Sequence, residues 1–238
     1  MQFRADALRL ARAMAAAEAA YKKGPYRAHA DAIAQAAKDL GEHLVPNEAA
    51  ILKAIEADIG LPDGARALVV TLVGDAPYPG IFAADARGRV MASFVRVRGL
   101  DGSALAETVL HESLHALGAD EMTVREPTAL NALRAALARR GIDEADSNAE
   151  MAINTLTSAE AASLVRRFVD PKHRPLGEKG FYTLYPSAPA IVEAWTRHVD
   201  GGEGLDATAD AIAKTVTAPW SKGRPPAAQV SRDFFKTL

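Results

Sequence analysis

Two histidines and a glutamate stand close together near the middle of the 238-residue chain, at positions 111, 115 and 112. Residues four apart in a helix lie on one face, so the imidazoles of His111 and His115 can reach the same metal ion. Glu112 is rotated by about 100° from His111, which places its carboxylate beside the ion as a proton acceptor for water. Zinc lowers the pKa of a water that it binds to about 7 and polarises carbonyl groups. The trio therefore predicts zinc-dependent hydrolysis at neutral pH, with Glu112 as the general base.

The residues around this trio are almost all apolar: Leu105, Val109, Leu110, Leu114, Ala116 and Leu117. Placing two imidazoles and a carboxylate among aliphatic side chains is costly unless a partner compensates them. A bound cation would supply that partner. The alternative is that the histidines make hydrogen bonds within the core and hold no metal.

The composition excludes several other kinds of site. The chain contains no cysteine, so disulfides and thiolate sites are excluded, and any metal must be held by His, Asp or Glu. The formal charge of −2 and the pI near 6.3 leave no excess of basic residues to neutralise phosphates. We therefore expect no nucleic-acid partner.

The N-terminal segment carries charged residues at Asp6, Arg9 and Arg12 and offers no uncharged apolar core for a signal peptide. No stretch of the chain is long and apolar enough to suggest a membrane span. The sequence as written therefore predicts a cytoplasmic protein, or an extracytoplasmic one if an export signal has been removed.

Helical periodicity and capping signals predict most of the chain to be helical. The first helix should end near Gly24, and the others should cover 28–40, an Asn47 cap to Gly60, 104–117 with Gly118 as its stop, 128–140, 144–156, 158–169 with a capping box from Thr157 to Glu160, 188–199 and 206–216. A buried strand at 67–73 and a hairpin of 81–86 with 89–97 complete the pattern.

These elements predict an α+β fold, mostly helical, with a small central mixed or antiparallel sheet that precedes the helix bearing the trio. We expect an N-terminal helical region at 1–64, a catalytic core at 65–170, and a C-terminal helical region at 171–238 packed on that core as one domain. The sequence does not indicate an oligomeric state.

The segment resembles the zincin metallopeptidases, in which a strand or hairpin precedes a helix with the motif His-Glu-x-x-His. The resemblance covers residues 66–156 in arrangement and the motif alone in identity. It implies a zincin-like fold, zinc at His111 and His115, and water activation by Glu112. It also implies a peptide or protein substrate whose strand pairs with the edge of the preceding sheet, for which 89–97 is the candidate edge.

The resemblance also suggests where a third zinc ligand should be sought. Zincins of the glutamate type take this ligand from a second helix downstream, which here points to Glu150, with Asn154 one turn further on as a residue that orients a histidine. The metzincin branch places its ligand six residues after the second histidine, where this chain has Glu121. Asp120, Glu144 and Asp146 are the remaining alternatives.

Zincins often add a side chain that stabilises the developing oxyanion, and Tyr182, Tyr185 and His198 are the candidates downstream of Glu150. The preferred function is that of a zinc metallopeptidase. A second hypothesis is a zincin-derived binding or regulatory module that keeps a structural zinc without turnover, and a third is a helical interaction protein that holds no metal.

Overall fold

The computed structural model describes residues 12–13, 15–18, 20, 22–60, 70–75, 80–84, 90–100, 102–121, 128–143, 147–179 and 185–216. For residues 25, 81–84, 90–92, 116–121, 128, 147 and 179 the description covers the backbone alone. Most of the predicted first helix, the hairpin turn at Arg87-Gly88 and the C-terminal tail lie outside these ranges. Within them, no helix has the length and apolarity needed to cross a membrane.

The structure is mostly helical with one small sheet, as predicted for an α+β fold. The helices with described bounds are α1 (Pro25–His43), α2 (Glu48–Ile59), α3 (Gly102–Glu121), α4 (Thr128–Arg139), α5 (Ser147–Phe168), α6 (Ala188–Gly201) and α7 (Leu205–Thr215). The strands are β1 (Val70–Val73), β2 (Gly80–Ala84) and β3 (Val90–Arg96). Short 3-10 helices lie at Val45–Asn47 and Leu176–Lys179.

The sheet is mixed, with the strand order β1-β3-β2. β2 and β3 pair in the antiparallel sense with Gly80 opposite Val95, which confirms the predicted hairpin. β1 and β3 are parallel, with Val70 opposite Ser93, so the purely antiparallel alternative is wrong. β3 has neighbours on both sides and is the central strand. The prediction that it offers an edge is therefore wrong, and β2 is an edge strand among the described residues.

Two predicted helix boundaries are also wrong. The separate helices at 144–156 and 158–169 are one helix, α5, in which the hydroxyl of Thr157 donates to the carbonyl of Ile153 at 2.9 Å instead of capping a new helix. A threonine can satisfy its hydroxyl inside a helix in this way. α3 continues through Gly118 to Glu121, so Gly118 is a helical residue and does not end the helix.

Asn47 stands before α2 as predicted, but its side chain does not cap that helix. Its amide nitrogen donates instead to the backbone carbonyls of His43, at 3.1 Å, and of Phe168, at 2.8 Å. Asn47 therefore ties the ends of α1 and α5 together. The predicted end of α2 is confirmed, since Gly60 adopts a left-handed conformation with φ of 84°.

α3 lies between two hydrophobic clusters. Leu105 and Val109 pack with Val95 of the sheet and Ala36 of α1 in the smaller cluster. Residues on the other side of α3 join the larger cluster, which draws on α2, α4, α5, α6 and α7. Because both sides of α3 are buried, the helix cannot rotate without exposing apolar side chains. Its orientation, and that of its histidines, is fixed by this packing.

Glu160 of α5 is a fully buried carboxyl group far along the chain from the trio. The indole N–H of Trp195 donates to its Oε2 at 2.9 Å. Burial, and next the nearby Asp58, raise the pKa of Glu160 to about 8. Asp58 itself forms an ion pair with Arg167. The predicted role of Glu160 in a capping box is wrong, and its carboxyl group instead joins α5 to α6.

This buried carboxyl group makes stability depend on pH. Between about pH 4.5 and pH 8 the unfolded chain ionises Glu160 while the folded chain keeps it protonated, so its contribution to stability decreases as the pH rises. We therefore expect the free energy of unfolding, measured by urea denaturation, to fall less between pH 5 and pH 8 in Glu160→Gln than in the wild type. The control Glu193→Gln changes an exposed glutamate and should leave the wild-type slope intact. An unchanged slope in Glu160→Gln would contradict this account.

Candidate functional site

The imidazoles of His111 and His115 face each other on α3. Their Nε2 atoms are 3.0 Å apart, the ring centroids are 4.6 Å apart, and the ring planes are inclined at 81°. A spacing of four residues in a helix gives this neighbour relation. The Nε2 atoms of the two rings thus come together at one point beside the helix.

Two polar side chains of α5 meet these rings. Asn154 Oδ1 lies 3.1 Å from His115 Nε2, and Ser158 Oγ lies 3.2 Å from His111 Nδ1. The later histidine meets the earlier residue of α5, so the two helices run antiparallel where they touch. Four side chains from two helices form the site.

Both histidines are held in the neutral form. Burial lowers the pKa of His111 well below its usual value, and the proximity of His115 lowers it further. Burial also lowers the pKa of His115, while hydrogen bonding to the Asn154 side chain opposes both shifts. A neutral imidazole keeps a lone pair on one ring nitrogen, which is the form that binds a metal ion.

Glu112 is 6% exposed and packs against the first residue of β2. A β-carbon built on Gly80 would overlap the Glu112 carboxyl group and its Cγ atom, so the carboxyl group occupies space that any other residue at position 80 would fill. Burial raises the pKa of Glu112 to about 7. A cation beside the carboxyl group would favour its ionised form.

A buried polar cluster fixes the first two turns of α3. The Nε2–H of His173 bonds to the carboxylate of Glu107, and the hydroxyl of Ser103 lies 3.0 Å from His173 Nδ1. The backbone N–H of Leu176 also donates to Glu107 Oε2, at 3.0 Å. These bonds attach the segment after α5 to α3 one turn before His111. They therefore help to set the position of the trio.

The structure does not bring Glu150 together with the two histidines. Glu150 is an exposed residue of the first turn of α5. Across the described ranges, no three His, Asp or Glu side chains cluster as a metal site would require. Asp120 and Glu121 lie in the last turn of α3, where only the backbone is described, and Glu144 and Asp146 lie outside the described residues.

Two of the three candidates for stabilising an oxyanion have other contacts. The hydroxyl of buried Tyr185 donates to the carbonyl of Asn148 at 3.3 Å. The ring nitrogens of His198 face the backbone carbonyls of Glu203 and, at 2.9 Å, of Asp58. Both side chains are therefore engaged in contacts away from the imidazole pair. Tyr182 lies outside the described residues.

The sequence interpretation missed Ser158 and Gly80, whereas the expected contact of Asn154 with a histidine of the pair is present at His115. One signal was present in the sequence: Asn154 and Ser158 are four apart, as His111 and His115 are, so two antiparallel helices can align both pairs. No such signal marked the contact between Gly80 and Glu112, because the sequence does not show whether a side chain packs against a turn glycine.

The chain matches no protein-family model, and comparisons with curated proteins and with solved structures gave no match. The functional inference therefore rests on the geometry of the chain itself.

The close approach of Gly80 to Glu112 can be tested by stability. We expect Gly80→Ala to lower the free energy of unfolding by about 1–3 kcal/mol, the usual consequence of overpacking a filled site. In a Glu112→Ala background the same change should cost much less, since the side chain that it meets is gone. Urea denaturation of the four proteins measures the coupling.

Gly41→Ala is the matched control, because nothing lies within 4 Å of a β-carbon at this helical glycine. It should stabilise α1 by about 0.5–1 kcal/mol. Equal destabilisation by Gly80→Ala in both backgrounds would show that Glu112 does not occupy the space beside Gly80.

Proposed function

We propose that this protein is a zinc-dependent hydrolase, specifically a metallopeptidase, in which His111 and His115 bind the metal and Glu112 is the general base. The observation that carries the proposal is the 3.0 Å separation of the two Nε2 atoms, with the Glu112 carboxyl group on the adjoining residue held against β2. Neighbouring ionisable groups whose pKa values are shifted by burial, as those of His111, Glu112 and His115 are, are typical of functional sites.

The donor set suits zinc. Two neutral imidazoles whose Nε2 atoms face each other can share one proton, or both can direct lone pairs at one cation. Zinc accepts histidine nitrogen at about 2.0–2.1 Å and needs no thiolate, which fits a chain without cysteine. Because burial keeps both rings neutral, each ring has one nitrogen without a proton, and that nitrogen can bind the ion directly.

A zinc ion would supply Lewis acidity and an acidified water at this place. Glu112 would accept the proton from that water and return it to the leaving nitrogen as the peptide bond breaks. Its buried position keeps bulk water from competing for the proton. An extended substrate strand could pair with β2, whose first residue contacts Glu112.

Metal analysis and mutagenesis test this function. Protein purified without nickel resin or chelators should hold one zinc per chain, and both His111→Ala and His115→Ala should lose it. Glu112→Gln should keep the zinc and lose about 10²- to 10⁴-fold in turnover of a mixed peptide library. The exposed Glu193→Gln is the control for the substitution. If Glu112→Gln cleaved the library at the wild-type rate, the role given to Glu112 would be contradicted.

One observation favours a second candidate, the zinc-binding module without turnover. Within the described part of the chain no third His, Asp or Glu joins the histidine pair, although a complete zincin site of the glutamate type would require one. Zinc binding by the wild-type protein with no cleavage of any library peptide would favour the module. Absence of zinc from the wild-type protein would contradict both candidates and leave the helical interaction protein.

A further inference from the structure

We propose that the side-chain amide oxygen of Asn154 is the third protein ligand of the zinc, in place of the carboxylate of Glu150, and that Ser158 is a positioning residue for His111. This inference rests on the proposed function, since it concerns the same metal. It differs from the expectation drawn from the zincin resemblance in both the residue and its charge.

The distances among the donor atoms carry the proposal. His115 Nε2 lies 3.0 Å from His111 Nε2 and 3.1 Å from Asn154 Oδ1. Ligands held at about 2.0–2.1 Å around a tetrahedral zinc are separated by about 3.3 Å along each edge. Two of the three distances among these donor atoms are therefore already close to the spacing that one ion imposes, and a small outward shift would admit it.

The helix register explains why Asn154 holds this place. α3 and α5 run antiparallel, with His115 opposite Asn154 and His111 opposite Ser158. Glu150 is one further turn away, about 6 Å along the axis of α5, and is exposed. The ligand and positioning roles predicted for Glu150 and Asn154 are thus taken by residues one turn later in α5. Asn154 is the ligand, and Ser158 is the residue that bonds the far side of a histidine ring.

The change of ligand has a chemical consequence. An amide oxygen is neutral, so two imidazoles and one amide would leave the full charge of the ion uncompensated by the protein. Such a site binds zinc more weakly than one with a carboxylate, because an oppositely charged ligand adds Coulomb attraction. The same uncompensated charge would polarise a substrate carbonyl more strongly.

Zinc affinity, measured by competition with a chromophoric chelator, tests the proposal without any substrate. We expect Asn154→Ala to weaken binding on the order of 10-fold or more, and Asn154→Asp, which keeps the shape and adds a charge, to tighten it by a similar factor. Ser158→Ala should weaken binding less than Asn154→Ala. Glu150→Ala, the matched control one turn away, should bind zinc as the wild type does.

Cobalt substitution provides a second readout that does not depend on affinity. The visible absorption of Co²⁺ reports its ligand set, so Asn154→Asp should change the spectrum and Glu150→Ala should not. Thermal denaturation of the metal-free variants checks that each is folded.

The outcomes separate this inference from the proposed function. A wild-type protein that needs His111 for zinc but tolerates Asn154→Ala without loss of affinity would overturn the role of Asn154 alone. Loss of zinc in Glu150→Ala comparable to that in His111→Ala would restore the original expectation and overturn this one. A wild-type protein that binds no zinc would overturn both.

Discussion

The antiparallel packing of α3 on α5 is the constraint on which the site depends. It sets His115 opposite Asn154 and His111 opposite Ser158, so a shift of either helix by one turn would dismantle every polar contact of the pair. The register is fixed because α3 is buried on both sides, between the sheet and the larger hydrophobic cluster. Such packing tolerates little displacement, since any slip opens cavities or exposes apolar surface.

The same burial that fixes the helices sets the charge state of the site. Desolvation keeps His111 and His115 neutral and raises the pKa of Glu112 to about 7. Glu160 is a second buried carboxyl group with a raised pKa, but its partner is the indole of Trp195 and not an imidazole. Burial alone therefore does not mark a functional residue. What distinguishes Glu112 is that it directly follows His111 in the helix whose two imidazole nitrogens converge.

The sheet contributes through its strand order. Since β3 is central and β2 lies at an edge, the strand that contacts Glu112 is also one that has a side without a described neighbour. The glycine at the start of β2 lets the backbone approach the carboxyl group more closely than any side chain would permit. Strand order and the absence of a β-carbon together bring the Glu112 carboxyl group to the margin of the sheet.

The sequence by itself determined the local features: the helix that carries the two histidines, the hairpin before it, the end of α2 at Gly60 and the mostly helical α+β class. These follow from periodicity, spacing and turn residues, which act over a few positions. It did not determine that α5 is continuous through Thr157, because burial among helices overrode a capping signal. Tertiary structure alone decided that β3 is central, that Gly80 faces Glu112, and that Ser158, not Glu150, stands beside Asn154 opposite the imidazoles. Those outcomes depend on how helices and strands far apart in the chain align, and alignment is set by the fit of buried surfaces, which no local pattern specifies.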